Sequence, residues 1–280
     1  MNESEWLSKY KEIDPYSSVF ELYLKYKRAE AIQYFLNECS IKFNEPLIKN
    51  VRINIDDRGG EYLDSRNYII CYNKNVENME KYCGPDPFFY NWPSIRVFSF
   101  ETTKNDIIME SQKEPIIDKV GWVGNIYSAM NVVSEHYTRP LLKKIGDEHS
   151  DMFEIIHVDS LRRDHAFTSI PSLTKYKYLI DIGGNGWSGR LKFLLFMKRP
   201  LLIVDRNYLE YFYKDLIPYT HYIPVKMDLS DLLEQVLWMQ NNYEKSLEIA
   251  NNAYEFAINN FTLDKFLDRV YYVYKNIHGI

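Results

Sequence analysis

The chain has 280 residues and a formal charge of −5, from 34 basic and 39 acidic side chains, a length that predicts about two domains of the usual roughly 100–200 residues. Apolar residues make up 46% and charged residues 26%, the balance of a soluble globular protein; the mild acidity and the lack of a basic run argue against a wrapper of duplex nucleic acid, and no apolar stretch reaches the about 18 residues of a membrane span. Aromatic residues stand out, with 24 Tyr, 15 Phe and 5 Trp.

In chain order, the opening Met1-Asn2-Glu3-Ser4-Glu5 is acidic and lacks the pattern of a signal peptide. The cysteines Cys39, Cys71 and Cys83 are odd in number and form no close pair, which fits a reducing compartment and predicts a cytoplasmic location. Apolar residues at helical spacing predict one long helix over 18–39. Short apolar runs at 47–55, 68–72 and 95–100, bounded by Asp, Asn, Gly or Pro, predict strands. A domain boundary is expected near Ser134–Gly146. Beyond it, strands are predicted at 153–158, 176–182, 201–204 and 221–225, with helices at 187–198 and 208–215 between them. Three terminal helices are expected at 229–240, 244–258 and 263–277. This alternation predicts a parallel sheet with right-handed crossovers.

The clearest chemistry lies in Asp181-Ile182-Gly183-Gly184-Asn185-Gly186-Trp187-Ser188-Gly189-Arg190, where four of the 11 glycines fall within seven residues. Glycines let the backbone approach a ligand closely. The amides of a following helix would face an anion, and Arg190 adds a cation able to fork onto phosphate. Gly184, Gly186 and Gly189 also satisfy G-x-G-x-x-G, with Asp205 ending the next strand where a ribose-binding acid would sit. An NAD(P)-dependent oxidoreductase is therefore a rival reading. Against it, the motif lies past the middle of the chain and a charged Arg190 follows the third glycine.

The segments Lys175–Asp181, Gly184–Arg190, Glu210–Tyr213, Leu216–Tyr219, His221–Val225 and Asp228–Leu232 together resemble the glycosyltransferase family 90 proteins, which include the Rumi-type protein O-glucosyltransferases and the fungal capsule-associated xylosyltransferases. Upstream, Ile53–Asp57 and Val97–Phe100 match two further short segments; residues 1–45 match none. The resemblance implies an α/β GT-B fold of two Rossmann-like domains facing a cleft. Residues 1–140 would form the acceptor side and 141–260 the UDP-sugar side, with 261–280 a helix returning to the first domain. It also implies inverting transfer from a UDP-sugar to a hydroxyl of a glycan acceptor, without metal or other cofactor. The family's catalytic base falls on Asp57, with Asp56 the adjacent alternative, and its phosphate-binding arginine on Arg190. The donor implied is UDP-xylose or UDP-glucose, with xylose preferred from the branch of the family outside the endoplasmic reticulum. The family's aromatic-Arg-Gly segment reads Trp122-Val123-Gly124-Asn125 here, without the arginine; Arg139 falls near a second family arginine and is the candidate to compensate. The chain ends Ile277-His278-Gly279-Ile280, unlike an ER-retention signal, and fits a compact cytosolic member of bacterial or large-virus type.

The residues themselves agree where they can be tested. Inverting displacement needs one base and stabilisation of charge on the leaving diphosphate. No two aspartates are spaced two apart and the six histidines show no metal-ligand spacing, which leaves the diphosphate to Arg190 and the amides of 184–189. Glu210 has two readings, a carboxylate in the first turn of a helix or a ribose acceptor. Asp181 could bind the donor sugar or end its strand. His157-Val158-Asp159-Ser160 could read a nucleotide base or cap a strand, and Trp187 could pack on the sheet or stack on a sugar. A carbohydrate-binding protein without catalysis is the third reading.

Overall fold

The computed structural model describes residues 18–45, 51–55, 57, 66–127, 138–158 and 168–280. Helix α1 (Ser18–Phe43) precedes three two-residue strands, β1 (Ile53–Asn54), β2 (Tyr68–Ile69) and β3 (Tyr72–Asn73). Helix α2 (Phe100–Ser111), strand β4 (Ile117–Gly124), helix α3 (Thr138–Glu148) and strands β5 (Phe153–His157) and β6 (Tyr176–Asp181) follow. Then come a one-turn helix α4 (Leu191–Leu194), strands β7 (Leu201–Val204), β8 (Tyr208–Leu209) and β9 (Ile223–Val225), and helices α5 (Leu232–Asn241), α6 (Tyr243–Asn260) and α7 (Leu263–His278). Among the described residues no helix is long and apolar enough to cross a membrane.

The chain divides into two compact units: the residues up to Thr102 with Asn207–Tyr211 and Phe261–Ile280, and Thr103–Arg206 with Phe212–Asn260. The boundary expected near residue 140 therefore lies at Thr102/Thr103. The reason is β4, which pairs with both β5 and β6 and so belongs to the sheet of the second unit.

In the first unit, α1 packs on α7. Phe35 meets Phe266 edge-on at 6.1 Å, and Lys42 reaches Asp264 and Asp268 of α7 at 2.6 Å each. Phe89 sits among Phe100, Phe261 and Phe266, with ring centroids 5.2, 5.1 and 4.4 Å away. Such tilted and edge-on rings add about 0.5–1.5 kcal/mol per pair beyond their buried area. Part of the aromatic excess is thus core. Strand β1 pairs with β2 in parallel, and β3 with β8 antiparallel.

The second unit holds one five-stranded sheet in the order β5-β4-β6-β7-β9, every pair parallel. Alternate residues of all five strands (Val120 and Trp122, Phe153 and Ile155, Tyr178 and Ile180, Leu202 and Val204, Ile223 and Val225) enter one buried cluster with Leu142 of α3, Val236 of α5 and Ile249. The pattern is the period of two that puts every second side chain on one face. Chain order runs from β4 to β5 on one side and from β6 through β7 to β9 on the other, so the winding reverses between β4 and β6. In open parallel sheets ligands bind at the carboxyl ends of the strands at such a reversal.

Several expected elements differ. Of the strand expected at 47–55, Ile53–Asn54 forms and 47–50 lie outside the described residues. The strand expected at 95–100 is a proline-started 3-10 turn, Pro93–Ile95, closed by Arg96 in the left-handed region and followed by α2. The helix expected at 187–198 is only α4: the residues from Leu191 to Met197 are all buried, and the turn ends at Lys198 with φ of 51°. The helix expected at 208–215 is replaced by β8, drawn into extended form by pairing with β3, and a short 3-10 turn, Tyr213–Asp215.

Candidate functional site

The second unit gathers most of the expected site residues at the β4–β6 reversal. Arg139, from the first turn of α3, donates through Nε to the Gly183 carbonyl at 2.8 Å and through Nη1 to the Asn125 carbonyl at 2.9 Å. Arg190 donates through Nη1 to the Val123 carbonyl at 2.6 Å. Both guanidinium carbons lie 5.5 Å from the Trp122 ring, which is itself buried. Two like charges sharing one indole is a costly arrangement without an anion. Burial, then the Arg190 and Arg206 charges, push the Arg139 guanidinium well below its usual range against the pull of Asp181. Burial lowers Arg190 as well. Gly124 is needed here for space: a Cβ would stand 2.9 Å from the Trp122 ring and 3.2 Å from Arg190 Nη2.

The glycine loop is held from beneath. Asp181, at the end of β6, accepts from Ser188 Oγ at 2.7 Å through one carboxylate oxygen and from Arg206 Nη2 through the other. Asp181 and Arg206 are both buried, with side chains 0% and 2% exposed, and the Arg206 guanidinium also lies 5.7 Å from the Tyr213 ring. The reading of Asp181 as a donor-sugar ligand therefore gives way to a clamp: both of its oxygens are engaged by the loop and by Arg206. The fully buried Lys192 donates to the Gly189 carbonyl at 3.0 Å and lies 4.8 Å from the Trp187 ring. Trp187 is buried, in line with packing on the sheet.

None of the loop glycines takes a positive φ, so their use is close approach; a Cβ on Gly184 would stand 3.4 Å from Arg139 Nη2. Asn185 is the exposed tip of the loop, while Gly186 and Ser188 are buried beneath it. With α4 only one turn long, the long crossover helix of a dinucleotide fingerprint is missing after Gly189. Asp205, the ribose acid of that rival reading, accepts from the Arg206 amide at 2.9 Å.

Val158 follows β5 and donates its amide to the Gly124 carbonyl at 2.9 Å, so it stands beside β4 at the same strand ends. His157 accepts from the Ile126 amide at 3.3 Å and meets Tyr127 edge-on at 5.2 Å. Asp159 and Ser160 lie outside the described residues.

Asp57 and Glu210 belong to the first unit. Asp57 Oδ1 accepts from Arg28 Nη1 of α1 at 2.7 Å, and its backbone carbonyl accepts from the Cys71 thiol at 3.1 Å. The alternative Asp56 lies outside the described residues. Glu210 follows β8 rather than starting a helix, so the helix-dipole reading falls; it is fully buried. The Tyr72 hydroxyl, pushed up to about 12 mainly by burial, also feels the Glu210 charge, as does the Cys83 thiol. Among the described residues no three His, Cys, Asp or Glu side chains cluster as metal ligands.

Arg28, Lys192 and Arg206 carry no motif signal. Arg28 and Arg206 matter through partners far along the chain, Asp57 29 residues away and Asp181 25 residues away, and Lys192 through the Gly189 carbonyl.

Comparison with known proteins bears on this arrangement. Protein O-glucosyltransferase 2 of Danio rerio is 41% identical over 83 residues, 30% of this chain and 17% of that protein. Protein O-glucosyltransferase 1 of Rattus norvegicus is 39% identical over 90 residues, 32% of this chain and 23% of that protein. The matched stretches thus span less than a quarter of either relative. Among solved structures, Anabaena HepE in complex with UDP-glucose superposes with a TM-score of 0.39 at 11% identity, over 63% of this chain and 45% of that one. The family model of glycosyl transferase family 90 matches residues 70–276, from just before β3 through the glycine loop and its arginines into α7, and the chain belongs to that family.

Proposed function

We propose that the protein moves a sugar from a UDP-sugar to a hydroxyl of a glycan acceptor, by an inverting, metal-independent displacement on a GT-B scaffold. The observation that carries this reading is the charge at the β4–β6 reversal. Arg139 and Arg190 flank the Trp122 ring beside the glycine loop, and Arg206 is paired with Asp181 beneath it. A diphosphate supplies the opposite charge, and fixed guanidiniums are suited to holding it as it departs. Asp57 takes the proton of the acceptor hydroxyl as that oxygen attacks the anomeric carbon. The bond from that carbon to the diphosphate breaks at the same time, and Arg190, Arg139 and the loop amides hold the UDP released. Arg139 stands in for the arginine absent at Val123. Glu210 remains the proposed ribose acceptor. The relatives named O-glucosyltransferases favour UDP-glucose as donor over UDP-xylose.

Incubation with UDP-glucose, UDP-xylose and other UDP-sugars, with and without EDTA, is expected to release UDP equally in both conditions. Release with no donor overturns the reading, and loss of release with EDTA overturns its metal-free part. UDP and not NAD is expected to raise Tm, because a ligand stabilises the state it binds. Arg190→Lys keeps the charge but loses the planar fork; its Kd for UDP, measured by calorimetry, is expected to rise about tenfold, equivalent to about 1.4 kcal/mol. An unchanged Kd would remove Arg190 from the diphosphate site.

A further inference from the structure

The first unit carries a cleft that the donor chemistry does not use, lined by Lys27, Arg28, Phe88, Asn91, Trp92 and Ser94. Phe88 and Trp92 stack face to face, centroids 3.9 Å apart and planes 7° from parallel. Two short turns present them. Asp86 caps the first, Pro87–Phe89, by accepting from the Phe88 amide at 2.9 Å, and Pro93 opens the second. Proline-started, capped turns hold their shape before a ligand arrives, which lowers the ordering cost of binding. The Arg28 guanidinium lies 5.6 Å from the Phe88 ring and also grips Asp57 Oδ1. The proposed base is therefore one guanidinium away from the aromatic pair, with its second oxygen outside that ion pair.

We infer that this cleft is the subsite for a neutral sugar of the acceptor, an assignment that rests on the transferase reading above. Three features select that class. The outer face of the half-buried Trp92, backed by the buried Phe88 ring, suits the C–H face of a pyranose, an apolar surface edged with hydroxyls. The Asn91 amide and Ser94 hydroxyl, which make no side-chain hydrogen bond among the described residues, supply the few directional groups of a small-ligand site. The cations are already matched, Lys27 by Glu30 and Arg28 by Asp57. Neither cation of the lining is left over for a uronate or phosphate. Arg28, which lines the cleft and holds Asp57 Oδ1, acts as a positioning residue for the carboxylate. The same residues account for the aromatic run around Phe88–Trp92, of which Phe89 goes to the core instead.

Saturation-transfer NMR tests this with the methyl glycosides of glucose, galactose, mannose and xylose, and with methyl glucuronide as the charged counterpart. At least one neutral glycoside is expected to bind more strongly than the glucuronide. Its affinity is expected to fall about fivefold or more in Trp92→Ala and in Asn91→Ala, the loss typical of a contact at a binding centre. A Tm rise with UDP in each variant shows that it is folded. If Trp92→Ala fails that check, Trp92→Phe and Asn91→Ala decide. Neutral binding insensitive to both positions, no neutral binding, or preferred binding of the glucuronide each overturns the assignment. The NMR experiment needs no donor, so its outcome is separate from failure of the parent protein to bind UDP, which would overturn the transferase reading itself.

Discussion

Asp57→Asn is expected to lower the rate of sugar transfer by about 10²–10⁴-fold, the usual contribution of a positioned general base. The amide is isosteric with the carboxylate and still accepts from Arg28 at the position now 2.7 Å from Nη1, so residue 57 keeps its anchor to α1. What it cannot do is take a proton from the attacking hydroxyl. The loss should therefore fall on kcat, with UDP binding and Tm close to those of the parent. Both partners of the ion pair are partly exposed, at 25% and 33% of their side chains, and an ion pair so wetted adds at most about 1 kcal/mol to stability. A fall in Tm large enough to explain the rate would point to a structural role. Full turnover in the variant, measured by transfer of radiolabelled sugar, would remove Asp57 from the base position.

Arg206→Met is expected to be the most destabilising single change, at about 3–5 kcal/mol. Removal of one partner from a buried ion pair strands the other charge in low dielectric. Asp181 would retain Ser188, 2.7 Å away, but a hydroxyl does not neutralise a carboxylate. In a unit of this size such a loss corresponds to a fall in Tm on the order of 10 °C, read by differential scanning calorimetry. The double variant Asp181→Asn with Arg206→Met should recover much of it, since neither member of the Asp181–Arg206 pair is then left without the other. A double variant no more stable than Arg206→Met alone would mean that the arginine acts through packing on Tyr213 and not through Asp181. UDP affinity should follow stability only in part. The clamp also fixes Ser188, two residues before Arg190, so a loosened loop would weaken binding even at temperatures where the protein stays folded.

What could be read from the sequence divides along physical lines. Strand β7 is legible because it is a short, continuously apolar run ended by Asp205, the pattern of a strand buried on both faces, and β6 because Tyr178-Leu179-Ile180 runs apolar into Asp181. The glycine loop was legible because its residues are adjacent in the chain. Strand β4 was not: Asp118, Lys119, Gly121 and Gly124 dilute its strand signal, and only its central pairing with β5 and β6 makes it extended. The helix expected at 187–198 failed for the opposite reason. Its apolar residues matched helical spacing, but burial on every side removes the polar face that distinguishes an amphipathic helix. Glu210 reads as the start of a helix from its local sequence, because the pairing of the preceding β8 is with β3, more than a hundred residues away. Arg28 and Arg206 were invisible for the same reason, their carboxylate partners being set by the fold.

The composition of the first unit has a consequence for biosynthesis. Its three pieces are the residues up to Thr102, Asn207–Tyr211 and Phe261–Ile280. A ribosome releases every strand of the five-stranded sheet, and the helices packed on it, before α7 emerges. The sheet can therefore close first, although it lies later in the chain. The residues before the sheet must wait: Phe35 and Phe89 find their partner Phe266 only once α7 has been made. Contacts of such long sequence separation form slowly, and through that interval a large aromatic surface stays open to chaperones and to self-association. Vectorial folding of these two units thus runs from the sheet outward, with α7 as the step that completes the unit begun first.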